Sequence, residues 1–183
     1  MPVMNESWEE PGLVERIWGG DEPEMSYTVL ALDPGGTTGW CVIGIHPDAM
    51  TGDPDMHPFG EYGNVMFWSA GEFTGVQDNQ VDAIVELVNS WPSARLVTED
   101  FKLRQLNAEL DPVEINAIIR YVCRPRYWVK QNSNLAMSTV TDDRQKALGF
   151  WIPGKEHARD AAKHGITFIR RQKERAVMAG RRR

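Results

Sequence analysis

Hydrophobic and polar positions along this chain switch between two periods, and the switches mark its elements. Residues 28–33 are apolar without alternation up to a closing carboxylate, Asp33, which predicts a strand buried on both faces. Pro34, Gly35 and Gly36 force a turn, and a second apolar run at 39–45 predicts a second strand. Residues 46–64, rich in Pro, Gly and Asp, read as a long hairpin loop before a third strand at 65–73. Val81, Ile84, Val85 and Val88 then recur at helical spacing, predicting a helix at 78–90 that Trp91 and Pro92 end. A fourth buried strand is expected at 95–99. Next comes a helix at 112–122, with Asp111 as N-cap and Pro112 in its first turn. A fifth strand at 127–130, a helix at 133–148 stopped by Gly149, and a last helix at 155–170 complete the series.

The order β-β-β-α-β-α-β-α-α implies an antiparallel meander running into βα alternation. That is an α/β fold with a mixed five-stranded sheet flanked by helices on both faces. Right-handed crossover makes strands one and four sheet neighbours and brings Asp33 near Glu99. Residues 1–25 show no clear periodicity beyond a short helix near 13–18 and read as an N-terminal arm. The domain then spans 26–170, and 171–183 forms a basic tail.

A carboxylate ending a buried strand is costly unless something pairs with it. A bound cation is one such partner, and the glycines leave room for a phosphate. A hairpin in which Asp33 only hydrogen-bonds the turn is the plainer alternative. Strand four repeats the pattern, with apolar residues closing on Glu99. Asp100 points to the opposite face if the strand continues. In the last helix His157 and Asp160 lie three apart and share a face, and Ala158, Ala161, Ala162 and Gly165 keep it slim enough to approach the sheet. Asp33, Glu99, His157 and Asp160 thus form an oxygen-rich ligand set with one imidazole, suited to Mg²⁺ or Mn²⁺. Two such ions ~3.5–4 Å apart suit phosphodiester hydrolysis. His164, one turn beyond Asp160, reads as a supporting or simply exposed residue.

Composition bounds the partners. The 183 residues carry a net charge of −6, but unevenly. Residues 1–100 hold two basic side chains against 18 acidic, and residues 101–183 hold the other 18 basic against 8 acidic. A basic second half beside an acidic site fits a nucleic-acid substrate. Lys102 and Arg104 follow Glu99. Arg124, Arg126 and Lys130 surround strand five, interleaved with Tyr127 and Trp128. Lys155, Arg159 and Lys163 lie on the last helix. These are candidate phosphate contacts, each also readable as a solvated surface charge. Phe101 is placed to stack on a base or to join the core. The chain has no apolar run long enough to span a membrane, and its acidic start is unlike a signal peptide. The two cysteines, Cys41 and Cys123, read as reduced core residues, so a cytoplasmic location is expected.

Asp33 in LALDPGGTTGW, Glu99 in LVTEDF and the His157/Asp160 pair in KEHARDAAKHG resemble the RuvC family of Holliday-junction resolvases, which have a ribonuclease H-like fold. The stretch TDDRQKALGFWIPGKEHARDAAKH is similar to resolvase-like proteins of bacteriophages, for which cytoplasmic would mean the host cell. The resemblance implies a homodimer that uses two Mg²⁺ or Mn²⁺ ions per site to cut branched DNA at symmetric positions. The apolar helix at 111–123 is the candidate dimer face. His157 stands where the family more often has an acid, and the 46–64 loop, arm and tail are additions. A flap, fork or ribosomal-RNA-processing nuclease of the same superfold, and a non-catalytic DNA-binding module, are the alternatives. The glycine turn also resembles that of sugar kinases and actin-like ATPases, but the second phosphate loop those proteins need is not found.

Overall fold

A computed structural model describes residues 26–60, 64–74, 77–100 and 111–181. The elements are β1 (Tyr27–Asp33), β2 (Thr38–Ile45), a 3-10 turn (Pro47–Met50), β3 (Val65–Phe73), α1 (Gln77–Ser90), β4 (Arg95–Glu99), α2 (Asp111–Ile118), β5 (Trp128–Gln131), α3 (Ser133–Thr139), α4 (Asp142–Ala147) and α5 (Glu156–Gly180). The sheet order is β3-β2-β1-β4-β5. β1 pairs antiparallel with β2 and parallel with β4, and β4 pairs parallel with β5. This is the expected mixed five-stranded sheet. Among the described residues no helix is long and apolar enough to cross a membrane.

The unbroken apolar run of β1 reflects burial on both sides. Val29 and Ala31 face a core formed with Ala161, Ala162, Ile166 and Ile169 of α5. Leu30 and Leu32 face Ile84 and Val88 of α1 and Ile115 of α2. Strand side chains alternate between faces, so parity alone puts Asp33 on the α5 side, with Val29 and Ala31. Val97 shares that core, and the same parity puts Glu99 on the α5 side of β4. The α5 face in contact with the sheet is made of Ala158, Ala161, Ala162 and Gly165, all buried. Gly165 sits where a methyl would meet Ile43 Cδ1 at 3.1 Å and Ala31 Cβ at 3.4 Å.

Three elements differ from expectation. The helix expected at 133–148 breaks at Val140, which is extended and fully buried. Thr141 restarts the chain as N-cap of α4, its hydroxyl accepting from Arg144 N at 3.3 Å, with Asp142 and Asp143 in the favoured first turn. The last turn of the helix expected at 112–122 widens into a π turn at Ile119–Cys123, closed by Arg124 at φ 47°. The last helix does not stop at 170 but continues to Gly180. Its extension is anchored by Lys173, only 5% exposed, whose Nζ donates to the carbonyls of Thr51 (2.8 Å) and Asp53. A basic residue of the expected tail therefore ties the helix to the loop after β2. The arm at 1–25 lies outside the described residues.

Candidate metal centre

β1 and β4 run parallel side by side, and their C-terminal ends form the floor of the site. In open α/β sheets ligands bind beyond such strand ends, where neighbouring connections diverge. Here β1 turns back into β2 while β4 leads on toward α2. The β1–β2 turn is held by Thr38 and Gln80. Thr38 Oγ1 donates to Gln80 Oε1 at 3.1 Å, and the Gln80 amide nitrogen donates to the Gly36 carbonyl. Asp33 itself faces away from the turn, toward α5, so the hairpin alternative does not account for its carboxylate.

The carboxyl oxygens of Asp33 and Glu99 and a ring nitrogen of His164 all lie within 4.8 Å of one another. From the other side, His157 Nδ1 lies 3.0 Å from Asp33 Oδ2. Burial pushes the Asp33 carboxyl up to about 7, reinforced by Glu99 and only partly countered by His157. Burial and the neighbouring Glu99 both oppose charge on Asp33, and a cation beside it would relieve both penalties. This donor set fits a divalent ion. His164 fits it too: the side chain is fully buried, and among the described residues neither ring nitrogen has a hydrogen-bond partner. Burial holds the imidazole below its ordinary range, against the pull of Glu99 and Asp160. The exposed alternative for His164 is therefore wrong. The sequence signal was present, since His157, Asp160 and His164 stand at i, i+3 and i+7 on one helix face. Gln131, the register partner of Glu99 in β5, is a second buried polar residue at this end of the sheet that sequence reasoning missed.

The other expected residues separate. Asp160 Oδ1 accepts from Lys163 Nζ at 3.0 Å, and Asp142 Oδ1 lies 2.8 Å from the same nitrogen. Burial alone would lower the Lys163 ammonium, but its bonds to Asp142 and Asp160 outweigh that and raise it. Lys163 is thus an internal clamp between α4 and α5 rather than an outward DNA contact. Its inward aim follows from the break at Val140, which brings Asp142 over α5. Arg159 lays its guanidinium 4.5 Å from the centre of the Trp151 ring and donates to the Ile152 carbonyl. Lys155 occupies the N-cap position of α5 and is partly exposed. Lys130 is exposed and immediately precedes Gln131, at the site end of the sheet. Arg126 is exposed but precedes β5, at the opposite end of the sheet from Asp33 and Glu99. Lys102, Arg104 and Phe101 lie outside the described residues.

Two features of the strands set the position of α5. Gly39, opposite Asp33 in the β1–β2 ladder, lies directly beneath the His157 carbonyl, where a Cβ would overlap backbone atoms. Glu72, opposite Gly39 on β3, accepts from Ala158 N at 3.3 Å. Lys155 offers no side-chain cap, so a strand carboxylate satisfies one of the open N–H groups at the start of α5. Glu72→Ala is expected to cost about 1 kcal/mol in urea unfolding, as loss of a cap does. Glu72→Gln, which keeps an acceptor, should lose less.

No protein-family model and no curated protein sequence matches the chain. Solved structures do. The structure of RuvC from Thermus thermophilus aligns with a TM-score of 0.50 at 13% identity, covering 76% of this chain and 92% of that one. T. thermophilus RuvC in complex with a Holliday junction substrate aligns with a TM-score of 0.50 at 12% identity, covering 76% and 91%. At this identity the likeness establishes the fold, which is ribonuclease H-like.

Proposed function

We propose that this chain is a divalent-metal-dependent endonuclease that cuts branched DNA, with the four-way junction as its preferred substrate, and that it acts as a homodimer. The observation that carries this reading is the convergence of Asp33, Glu99 and two imidazoles of α5 at one end of a ribonuclease H-like sheet. Bound Mg²⁺ or Mn²⁺, two ions in the fullest arrangement, would supply Lewis-acid activation of water and charge stabilisation at the scissile phosphate. Asp33, between Glu99 and His157, would hold the metal together with both of them. Glu99 is the candidate to orient the attacking water. Asp160, ion-paired with Lys163, remains a candidate ligand and would join His157 in the outer position. Lys130, Lys155 and Arg159 offer positive charge around an acidic site, which a phosphodiester needs in order to approach. Lys102 and Arg104 join them as candidates because they follow Glu99 in sequence.

The dimer is supported by an exposed apolar face: Val113, Tyr121 and Val122 on α2 and its π turn are 39%, 66% and 61% exposed. One site cuts one strand, and resolving a junction takes two cuts related by two-fold symmetry, which a two-fold dimer matches. The bacteriophage origin implied by the sequence resemblance belongs to the same proposal.

The test is cleavage of labelled four-way junction, 5′ flap, replication fork and linear duplex with Mg²⁺ or Mn²⁺. Paired symmetric cuts in the junction are expected, lost in EDTA and lost in Glu99→Gln and Asp160→Asn. His157→Asp should retain Mg²⁺-dependent cutting where His157→Ala loses most of it. Unpaired nicks from a monomer would assign a flap or fork nuclease instead. Metal-independent binding with no cleavage of any substrate would leave a DNA-binding module.

A further inference from the structure

We propose that His164 is a metal ligand, so that the centre holds two cation positions sharing Asp33, each with one imidazole: an inner one at Asp33, Glu99 and His164 and an outer one at Asp33 and His157, with Asp160 as the further candidate there. The inference rests on the metal-dependent reading above and adds a ligand and an ion preference to it.

The geometry of α5 separates the two imidazoles. Position 164 is seven residues after 157, two turns along one face, or roughly 10 Å along the axis. Among the described residues His164 joins the group formed with Asp33 and Glu99 and His157 does not, yet both rings reach Asp33. His157 Nδ1 is 3.0 Å from Asp33 Oδ2, and a His164 ring nitrogen is within 4.8 Å of both the Asp33 and the Glu99 carboxyl oxygens. Asp33 therefore lies between the two rings.

Burial argues that His164 is placed for binding rather than for packing. It is 0% exposed among Ala161, Ala162, Ile166 and Ile169 on the same helix. An imidazole buried with both nitrogens unpartnered among the described residues forfeits its hydrogen bonds to water, which an aliphatic residue there would avoid. The cost is offset if one nitrogen binds an ion with the two facing carboxylates. Its neighbour Gly165 lets the helix backbone approach Ile43 and Ala31, which lowers His164 toward the strand ends.

The chemistry of the set then fixes the preference. Mg²⁺ favours all-oxygen coordination, whereas Mn²⁺, Co²⁺ and Zn²⁺ accept imidazole more readily. A buried imidazole in the inner position biases it toward Mn²⁺ over Mg²⁺.

The test is Mn²⁺ binding to the full chain, followed by calorimetry and by pulsed electron paramagnetic resonance, which detects ¹⁴N directly bonded to Mn²⁺ without any turnover. Wild type should show ¹⁴N coupling from the first equivalent of Mn²⁺. His164→Gln should lose that first-equivalent coupling and bind Mn²⁺ at least about 10-fold more weakly, while Mg²⁺ affinity changes several-fold less. His157→Asn should keep the coupling, because His46 and His57, the other two histidines, lie in the loop after β2. That variant leaves His164 in place, so the proposal stays testable if His164→Gln does not fold. Mn²⁺ bound with no ¹⁴N coupling, or coupling lost in His157→Asn and kept in His164→Gln, would overturn the role of His164 and leave the nuclease reading standing. Wild-type Mn²⁺ affinity in Asp33→Asn would instead sink the metal centre itself.

Discussion

Asp33→Asn is expected to abolish metal-dependent cleavage and, in the absence of metal, to make the protein more stable at neutral pH. Both effects have one cause. The Asp33 carboxyl is pushed from an ordinary 3.8 to about 7, first by burial and then by Glu99. Between those values the folded chain holds a proton that the unfolded chain has released. Stability contributed by this group is therefore complete below about pH 4 and is lost as pH rises through about 7. The loss is on the order of a few kcal/mol for a shift of this size at a mostly buried site. Metal-free wild type should thus melt progressively lower as pH rises from about 4 to about 7 and level off above. Asp33→Asn, which cannot ionise, should melt higher at the upper end and show a flatter profile. Mn²⁺ at the upper end should raise the wild-type melting temperature and leave the variant unmoved. An equally steep metal-free profile in Asp33→Asn would place the ionisation elsewhere.

Gly39→Ala should be the most damaging substitution outside the ligands. The added methyl points at the His157 carbonyl and the Ala158 amide, both backbone, so no side chain can rotate away. The start of α5 has to lift off β2, which overpacking of this kind sets at about 1–3 kcal/mol. The lift also pulls Ala158 N from Glu72 and His157 from Asp33. A misplacement of about 1 Å in a reacting constellation costs about 100-fold in rate. Cleavage should fall by that order even in protein that remains folded by circular dichroism. A near wild-type rate would mean that the approach of α5 to β2 does not set the position of His157.

What could be read from the chain follows from how local each signal is. β3 and β4 fall at the predicted residues, because polar and turn-forming residues bound their apolar runs in the sequence. The pairing of Asp33 with Glu99 was legible because two buried strands each end in an acid and the crossover rule makes those strands neighbours. The break at Val140 was not legible, since apolar positions continue across it, although Thr141 before Asp142 and Asp143 is a cap signal in its own right. The reach of α5 was hidden because 170–175 reads as solvated charge, while Lys173 turns inward to two loop carbonyls more than 100 residues away in sequence. Lys163 was misread for the same reason: its partner Asp142 belongs to another helix, and only tertiary packing brings them together. His164 reads from the sequence as a supporting or exposed residue because helical spacing shows which residues share a face but not which of them is buried against the strand ends.

The single 25-residue span of α5 makes this part of the chain sensitive to length in a way that its composition does not reveal. Each residue advances the helix by about 100° and 1.5 Å. Inserting or deleting one residue between 158 and 163 would turn everything downstream by that angle. Ile166 and Ile169 would rotate off the sheet, His164 would leave the carboxylates, and Lys173 would miss the loop after β2. The interval between His157 and Lys173 therefore behaves like a ruler. Residues along its outer side can be exchanged freely, but their number cannot. Natural variation in such a chain should gather as gaps in 46–60 or beyond 180, and as substitutions alone between them on this helix.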